Sequence, residues 1–286
     1  MKILVLGGNR FVGKILAKEL QAKGEIITLF NRKGTGPDGC RIIPGDRNKL
    51  EDLEKIQFDK YDCIVDMCLY KPEQFKLMEP LLNESIPYIF ISSGAAYKNV
   101  NIWPVDENYK LGGISTFGNY GKEKADVENL ISKSNLENYK ILRPSYIVGE
   151  GNHNPRLGYY INAIQNNTPI EVAGNGENII NLVFAEDVVE CILNIIYSDL
   201  DLNLSSPISY NISSNEFMTV NSLINIIAKE LKVENLKINY DSSEAIFPYT
   251  HYGVFSNDRI KIFYNKEFKT LKESLPSYIN WYNKNN

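Results

Sequence analysis

Three short clusters in this 286-residue chain have residue types and spacings that support chemistry. The first is Gly7-Gly8-Asn9-Arg10-Phe11-Val12-Gly13. Glycines at such a turn let backbone approach a pyrophosphate closely, with the next helix pointing its N-terminus at the charge. The second is Ser92-Ser93, which closes the apolar run Tyr88-Ile89-Phe90-Ile91. The third pairs Tyr120 with Lys124, four residues apart and so on one face of a helix. An ammonium beside a phenol favours the phenolate and lowers its pKa toward a working range. Such a tyrosine exchanges a proton with a carbonyl or alcohol oxygen while a hydride moves between that carbon and a nicotinamide. Ser93 would hydrogen-bond the same oxygen. Tyr-x-x-x-Lys alone also describes an exposed helical pair in a chain with 18 tyrosines, so the order of the three clusters carries the reading.

The end of the second apolar run bears on which dinucleotide fits. An NAD site has an acid about 20 residues past the glycine turn, bonding the ribose 2′-hydroxyl. Here the run ends Phe30-Asn31-Arg32-Lys33, with no acid, and Arg10 stands where a middle glycine is expected. Cations at these places suit a 2′-phosphate, which arginine binds through its planar fork. The expected cofactor is therefore NADP(H), with NAD(H) accommodated.

These residues need a scaffold, and the apolar periodicity supplies one. Residues 2–6 read as a strand buried on both faces, followed by a helix from Phe11 to Lys23 with Phe11, Ile15, Leu16 and Leu20 on one stripe. Strands at 26–30, 62–67 and 87–92 follow, with a turn-rich stretch after the first of them and a helix beginning near Pro72. A helix from Tyr120 to Ser132 and a strand at 139–143 complete the alternation. Strands alternating with helices imply right-handed βαβ units in an α/β, doubly wound parallel Rossmann sheet. Residues 144–180, rich in Gly, Asn and Pro, read as loop. Helices are expected over Asp187–Tyr197, Val220–Leu231 and Leu271–Tyr282. The expected organisation is a Rossmann domain over 1–143, rejoined by about 181–212, with 144–180 and 213–286 forming a smaller discontinuous substrate lobe.

Composition narrows the function classes. Thirty-one Lys and Arg against 35 Asp and Glu give a net charge of −4, which opposes coating nucleic acid or anionic membrane. Cys40, Cys63, Cys68 and Cys191 lack metal-ligand spacing, and His153 and His251 lie far apart, so neither zinc nor a disulfide framework is expected. The first apolar run is too short for a signal segment and no later one approaches a membrane span, so the expected compartment is the cytoplasm. His153 reads as a polar loop residue, Asp106-Glu107 as a solvated or capping pair, and Tyr278, Trp281 and Tyr282 as a packing face.

With these landmarks, the chain resembles the extended and atypical short-chain dehydrogenases/reductases, the NAD-dependent epimerase/dehydratase family. The resemblance runs through Gly7–Gly13, Gly45-Asp46-Arg47, Ile91 to Tyr97, Pro104 to Glu107, Tyr120 to Lys124, Leu142-Arg143-Pro144 and Phe184 to Asp187. It implies a catalytic triad of Ser93, Tyr120 and Lys124, with Lys124 also bonding the nicotinamide ribose. It places Asp46 and Arg47 near the adenine and Cys68 beside the cofactor. It implies an epimerase, dehydratase or reductase of a small hydroxyl or carbonyl substrate, sugar-derived in many members. It also suggests a homodimer formed through the 72–83 and 120–132 helices, with Leu77, Val127 and Leu130 as the apolar positions. The Gly-Gly-x-Arg-Phe variant resembles a branch containing the chloroplast stem-loop RNA-binding proteins, so the alternative is a dinucleotide-binding regulatory or RNA-binding protein without turnover. Members acting on nucleotide sugars carry an arginine for the substrate pyrophosphate where this chain has Ile180. Arg143 and Arg156 are candidates to replace it, Arg143 being equally suited to a structural role before Pro144.

Overall fold

The computed structural model describes all residues except 101, 153–155, 200–208 and 250–252. The strands among the described residues are β1 (Lys2–Leu6), β2 (Ile26–Asn31), β3 (Arg41–Pro44), β4 (Cys63–Asp66), β5 (Tyr88–Ile91), β6 (Tyr139–Pro144), β7 (Tyr146–Val148), β8 (Ile170–Glu171), β9 (Ile179–Phe184), β10 (Ser209–Ile212), β11 (Phe217–Thr219) and β12 (Ile238–Asn239). Its α-helices are α1 (Phe11–Ala22), α2 (Leu50–Leu53), α3 (Pro72–Met78), α4 (Asn119–Ile131), α5 (Arg156–Gln165), α6 (Ala185–Asp199), α7 (Val220–Leu231) and α8 (Leu271–Asn285).

Seven strands form one sheet in the order β10-β6-β5-β4-β1-β2-β3, every pair parallel. The chain starts in the middle at β1, winds out to β3, then returns to β4 on the other side. That reversal leaves a crevice at the carboxyl ends of β1 and β4, where open α/β sheets hold ligands. Ile3, Leu4, Val5 and Leu6 are buried on alternating faces. One face packs under α1 and α6 through Leu16, Leu20, Val188 and Ile192. The other packs under α3 and α4 through Phe75, Met78, Val127 and Ile131. A third core joins β7, β9, α5, α7 and α8 around Tyr160, Ile180 and Leu223.

Three expectations change. The 144–180 stretch is not loop, because Leu157, Tyr160, Ile161 and Ile164 line one side of α5 and are buried. The glycines and asparagines around them mask that period. The turn-rich stretch after β2 leads into β3, an edge strand of only four residues, too short and too exposed to show a period. The apolar stripe of α1 is also shifted: Val12, Leu16, Ala17 and Leu20 are buried, while Phe11 and Ile15 pack at its margin.

A buried polar network fixes α4 to the sheet. Arg143 of β6 donates from Nε and Nη2 to the Glu128 carboxylate at 3.0 and 2.6 Å. Its Nη1 donates to the Tyr97 hydroxyl at 2.9 Å and the Glu107 carbonyl at 3.1 Å. The Ser92 hydroxyl donates to the other Glu128 oxygen. Tyr97 in turn donates to Asn211 of β10 at 2.6 Å. The Glu107 carboxylate accepts from the Asn211 N–H at 2.8 Å and faces Arg259 at 3.4 Å. Glu107 is thus a buried structural joint and not the solvated residue expected, burial pushing its carboxyl above its ordinary range, while Asp106 stays exposed and accepts from the Asn108 N–H at 2.9 Å, as a capping residue does.

Removing one member of such a pair leaves a buried charge uncompensated. Glu128→Ala is expected to cost about 3–5 kcal/mol in denaturant unfolding. Adding Arg143→Met should return a substantial part of that loss, and additive single losses would show that the two side chains do not act as a pair.

Candidate active site

The glycine turn is a cradle because its backbone segments touch. A Cβ on Gly13 would lie 2.5 Å from the Gly8 Cα, closer than non-bonded atoms approach. Only glycine at 13 lets α1 start directly over the end of β1. Gly7 and Gly8 have φ of +103° and +82°, and Phe11 enters the helix at +43°, a region costly for a bulky residue. Arg10 is exposed and its side chain caps nothing in α1.

A cleft of about 810 Å³ opens over this cradle at the switch point. Each residue expected from the sequence and its resemblance to serve catalysis or the cofactor lies along it: Gly7, Asn9, Arg10, Phe11, Val12, Gly13, Asn31, Arg32, Asp46, Arg47, Cys68, Ser93, Tyr120 and Lys124. They come from the ends of β1, β2, β4 and β5, the loop after β3, and the first turns of α4, so the sheet itself brings them together.

Their engagements differ. Asn31 exchanges hydrogen bonds with Thr35, donating to its carbonyl at 2.9 Å and accepting from its N–H at 3.4 Å, which closes the loop carrying Arg32 and Lys33. Asp46 accepts from the Asn48 N–H at 3.0 Å, a bond that holds its carboxyl below the ordinary range, with Arg32 adding to the effect. Arg47 is buried and gives Nη1 and Nη2 to Asp66 at 2.7 and 2.8 Å. Asp66 also accepts from Tyr88 at 2.8 Å and the Cys68 N–H at 3.1 Å. Burial works against its charge, but Arg47 and these donors prevail and its pKa is lowered. Arg47 therefore forms the cleft floor through a fixed ion pair, with Nε alone lacking a partner.

Ser93 ends β5 and opens a short 3-10 turn, its Oγ accepting from the Ala95 N–H at 3.1 Å. That leaves its hydroxyl proton to donate elsewhere. The turn lies directly on α4: a Cβ on Gly121 would fall 2.2 Å from the Ala95 carbonyl oxygen. Gly121, between Tyr120 and Lys122, is thus what lets the tyrosine sit beside the serine. Tyr120 exposes 38% of its surface, which faces the cleft, yet protein crowds its phenol end.

Lys124 is 2% exposed. Its Nζ donates to the Leu69 and Ile91 carbonyls, both at 2.8 Å, and lies 4.7 and 5.0 Å from the ring centroids of Phe90 and Tyr70. An ammonium has three donors, so one remains for the cleft. Burial brings its pKa down to about 8.

The expected depression of the Tyr120 pKa by Lys124 is not what this geometry gives. Burial raises the Tyr120 pKa, and the groups opposing that rise are the Ser93 hydroxyl and the Arg156 charge. The lysine's ammonium is instead bonded to backbone behind the tyrosine.

Sequence reasoning passed over Tyr70, Phe117 and Tyr146, which also line the cleft. Tyr70 follows β4 on the sheet's carboxyl edge, the position that could have marked it. The Gln74 side chain fixes its backbone by accepting from the Tyr70 and Lys71 N–H groups at 2.9 and 3.1 Å. Arg143 is structural, as described, and does not line the cleft. Ile180 is 1% exposed in the third core. His153 lies outside the described residues. Tyr278 packs against Trp281 and Tyr282 at centroid distances of 5.6 and 6.3 Å, as a packing face should.

Residues 73–212 match the profile of the NAD dependent epimerase/dehydratase family. The chain is 27% identical over 250 residues to a chloroplast stem-loop binding protein of 41 kDa from Arabidopsis thaliana, a match covering 80% of this chain and 62% of that one. It is 25% identical over 315 residues to a protein of Methanocaldococcus jannaschii assigned as a UDP-glucose 4-epimerase, covering 99% of both. Its fold superposes on a Thermotoga maritima UDP-glucose 4-epimerase crystallised with UDP-glucose, with a TM-score of 0.80, 18% identity and 99% of each chain covered.

Lys124 provides a direct check on the site's electrostatics. In ¹⁵N NMR of the lysine Nζ groups, one resonance should titrate near pH 8, well below the rest, and Lys124→Met should remove it. Between about pH 8 and 10.5 the unfolded chain holds this proton and the folded chain does not, so its contribution to stability rises with pH across that window. A Lys124 resonance titrating with the exposed lysines would contradict the burial argument.

Proposed function

We propose that the chain, whose residues 73–212 match the NAD dependent epimerase/dehydratase family, has a nicotinamide-dependent epimerase or dehydratase activity on a sugar nucleotide. The observation that carries this reading is the convergence of Ser93, Tyr120 and Lys124 on the cleft of the glycine cradle. The two epimerase relatives support the substrate class. The chloroplast relative favours an RNA-binding reading, but the net charge of −4 and the three assembled catalytic side chains weigh against it.

The cradle fits a dinucleotide because a Cβ at Gly13 would fill it. Gly7 to Gly13 would receive the pyrophosphate, Asp46 and Arg47 would border the adenine, and Lys124 would give its third N–H to the nicotinamide ribose. The bound cofactor supplies a hydride acceptor or donor. The protein's part is proton transfer and positioning. Ser93 donates a hydrogen bond to the reacting oxygen, and Tyr120, in its ionised form, takes the hydroxyl proton as the carbon loses hydride, then returns it on reduction. The Ser93 hydroxyl and the Arg156 charge favour the phenolate that takes up this proton, and Lys124, anchored on the Leu69 and Ile91 carbonyls, holds the ribose end of the cleft. Dehydration and epimerisation share this first step. We read the protein further as a cytoplasmic homodimer joined through α3 and α4, where Leu77 and Leu130 are half-buried. Val127, expected to be exposed there, is fully buried in the core.

Tyr120→Phe should lose about 10²–10⁴-fold in turnover on UDP-glucose or its product while keeping cofactor affinity. Near-normal turnover would remove Tyr120 from proton transfer. For the cofactor, Arg10, Arg32 and Lys33 along the cleft favour the extra phosphate of NADPH. Fluorescence titration should show NADPH binding more tightly than NADH, with Arg32→Ala narrowing the gap. Equal affinities unaffected by that substitution would assign NAD(H).

A further inference from the structure

We propose that Arg156, seated on the ring of Tyr146, is a specificity-determining cation that anchors an oxyanion of the substrate, phosphoryl or carboxylate, beside Tyr120. This rests on the sugar-nucleotide reading above and says which side chain grips that substrate.

Arg156 opens α5 and lines the cleft. Its guanidinium carbon lies 4.9 Å from the Tyr146 ring centroid. Stacking of this kind holds the guanidinium plane while leaving its N–H donors free to bond in their fork geometry. Among the described residues no carboxylate pairs with Arg156, although it is half-buried. Its charge reaches both Tyr120 and Tyr146, favouring their ionised forms, which places it at the catalytic end of the cleft.

The other cations along the cleft have other engagements. Arg47 is held by Asp66, and Lys124 by two carbonyls. Arg10, Arg32 and Lys33 belong to the glycine turn and the end of β2. Arg143 is outside the cleft, bound to Glu128, and Ile180 is a core residue. An anion carried to Tyr120 thus meets Arg156 as the available guanidinium among the described residues.

The test is calorimetric titration of NAD-loaded wild type, Arg156→Ala and Arg156→Lys with UDP, UDP-glucose and UDP-glucuronic acid. Charge-assisted hydrogen bonds of this kind correspond to about 10- to 100-fold in affinity. Arg156→Ala should lose that much, Arg156→Lys should recover part of it, and cofactor affinity should be unchanged in both. Loss on all three ligands identifies a phosphoryl group as the anchored anion, and loss confined to UDP-glucuronic acid identifies a carboxylate. Wild-type binding with equal affinity in Arg156→Ala overturns the anchor and leaves the sugar-nucleotide reading standing. Binding of none of the three by wild type ends that reading, and the anchor with it. Should Arg156→Ala fail to fold, Arg156→Gln serves in its place with the same expected loss.

Discussion

The ion pair between Arg143 and Glu128 is the constraint on which the geometry of the cleft depends. Glu128 lies two turns along α4 from Tyr120 and one turn from Lys124, so all three share a helix face. Arg143 sits in β6, and Ser92, which also bonds Glu128, is the residue before Ser93. One buried carboxylate therefore sets the distance between the helix bearing the tyrosine and the strand bearing the serine. Both charges are nearly excluded from water, and such a pair is not in itself a strong source of stability. Its value here is registry: a shift of α4 along the sheet would take the carboxylate from Arg143 and both donors, Arg143 and Ser92, from Glu128 at once.

The same network reaches the later part of the chain. Tyr97 and Glu107 both bond Asn211, and β10 pairs in parallel with β6, so segments more than a hundred residues apart meet behind α4. The close contacts of glycine do the remaining positioning. Gly13 seats α1 on Gly8, and Gly121 seats α4 on the serine turn. In each case the missing side chain is the functional property, because backbone must touch backbone for the cleft to have its shape.

How much of this was legible in the sequence follows from the kind of signal each part leaves. Strands buried on both faces, such as Ile3–Leu6, announce themselves as apolar runs, and the motif order together with the resemblance pointed to fourteen residues that all line one cleft at the carboxyl edge of the sheet. What failed to show was whatever depends on partners distant in sequence. Glu128 reads as one more charged residue on a helix until Arg143 is folded against it. The helix α5 hid among glycines and asparagines because its apolar stripe is short and its flanks read as loop. Arg47, placed near the adenine by resemblance, is on the cleft, but no pattern within the chain reveals that Asp66 holds its two terminal nitrogens.

The buried lysine explains why the site needs several aromatic and backbone groups rather than a bare Tyr–Lys pair. Taking an ammonium out of water disfavours its charge, and burial alone pulls Lys124 toward neutrality. Two carbonyls and the faces of Phe90 and Tyr70 oppose that pull, leaving a group that is charged at neutral pH yet titrates at about 8. Tyr120 is pushed the opposite way, its phenol form favoured by the same exclusion of water. The two shifts have separate causes: the Ser93 hydroxyl and the Arg156 charge oppose the rise at Tyr120, while Lys124 is held by backbone carbonyls behind it. The tyrosine's ionisation is therefore tuned from the cleft side and the lysine's from the sheet side, within a helix face that Glu128 keeps in place.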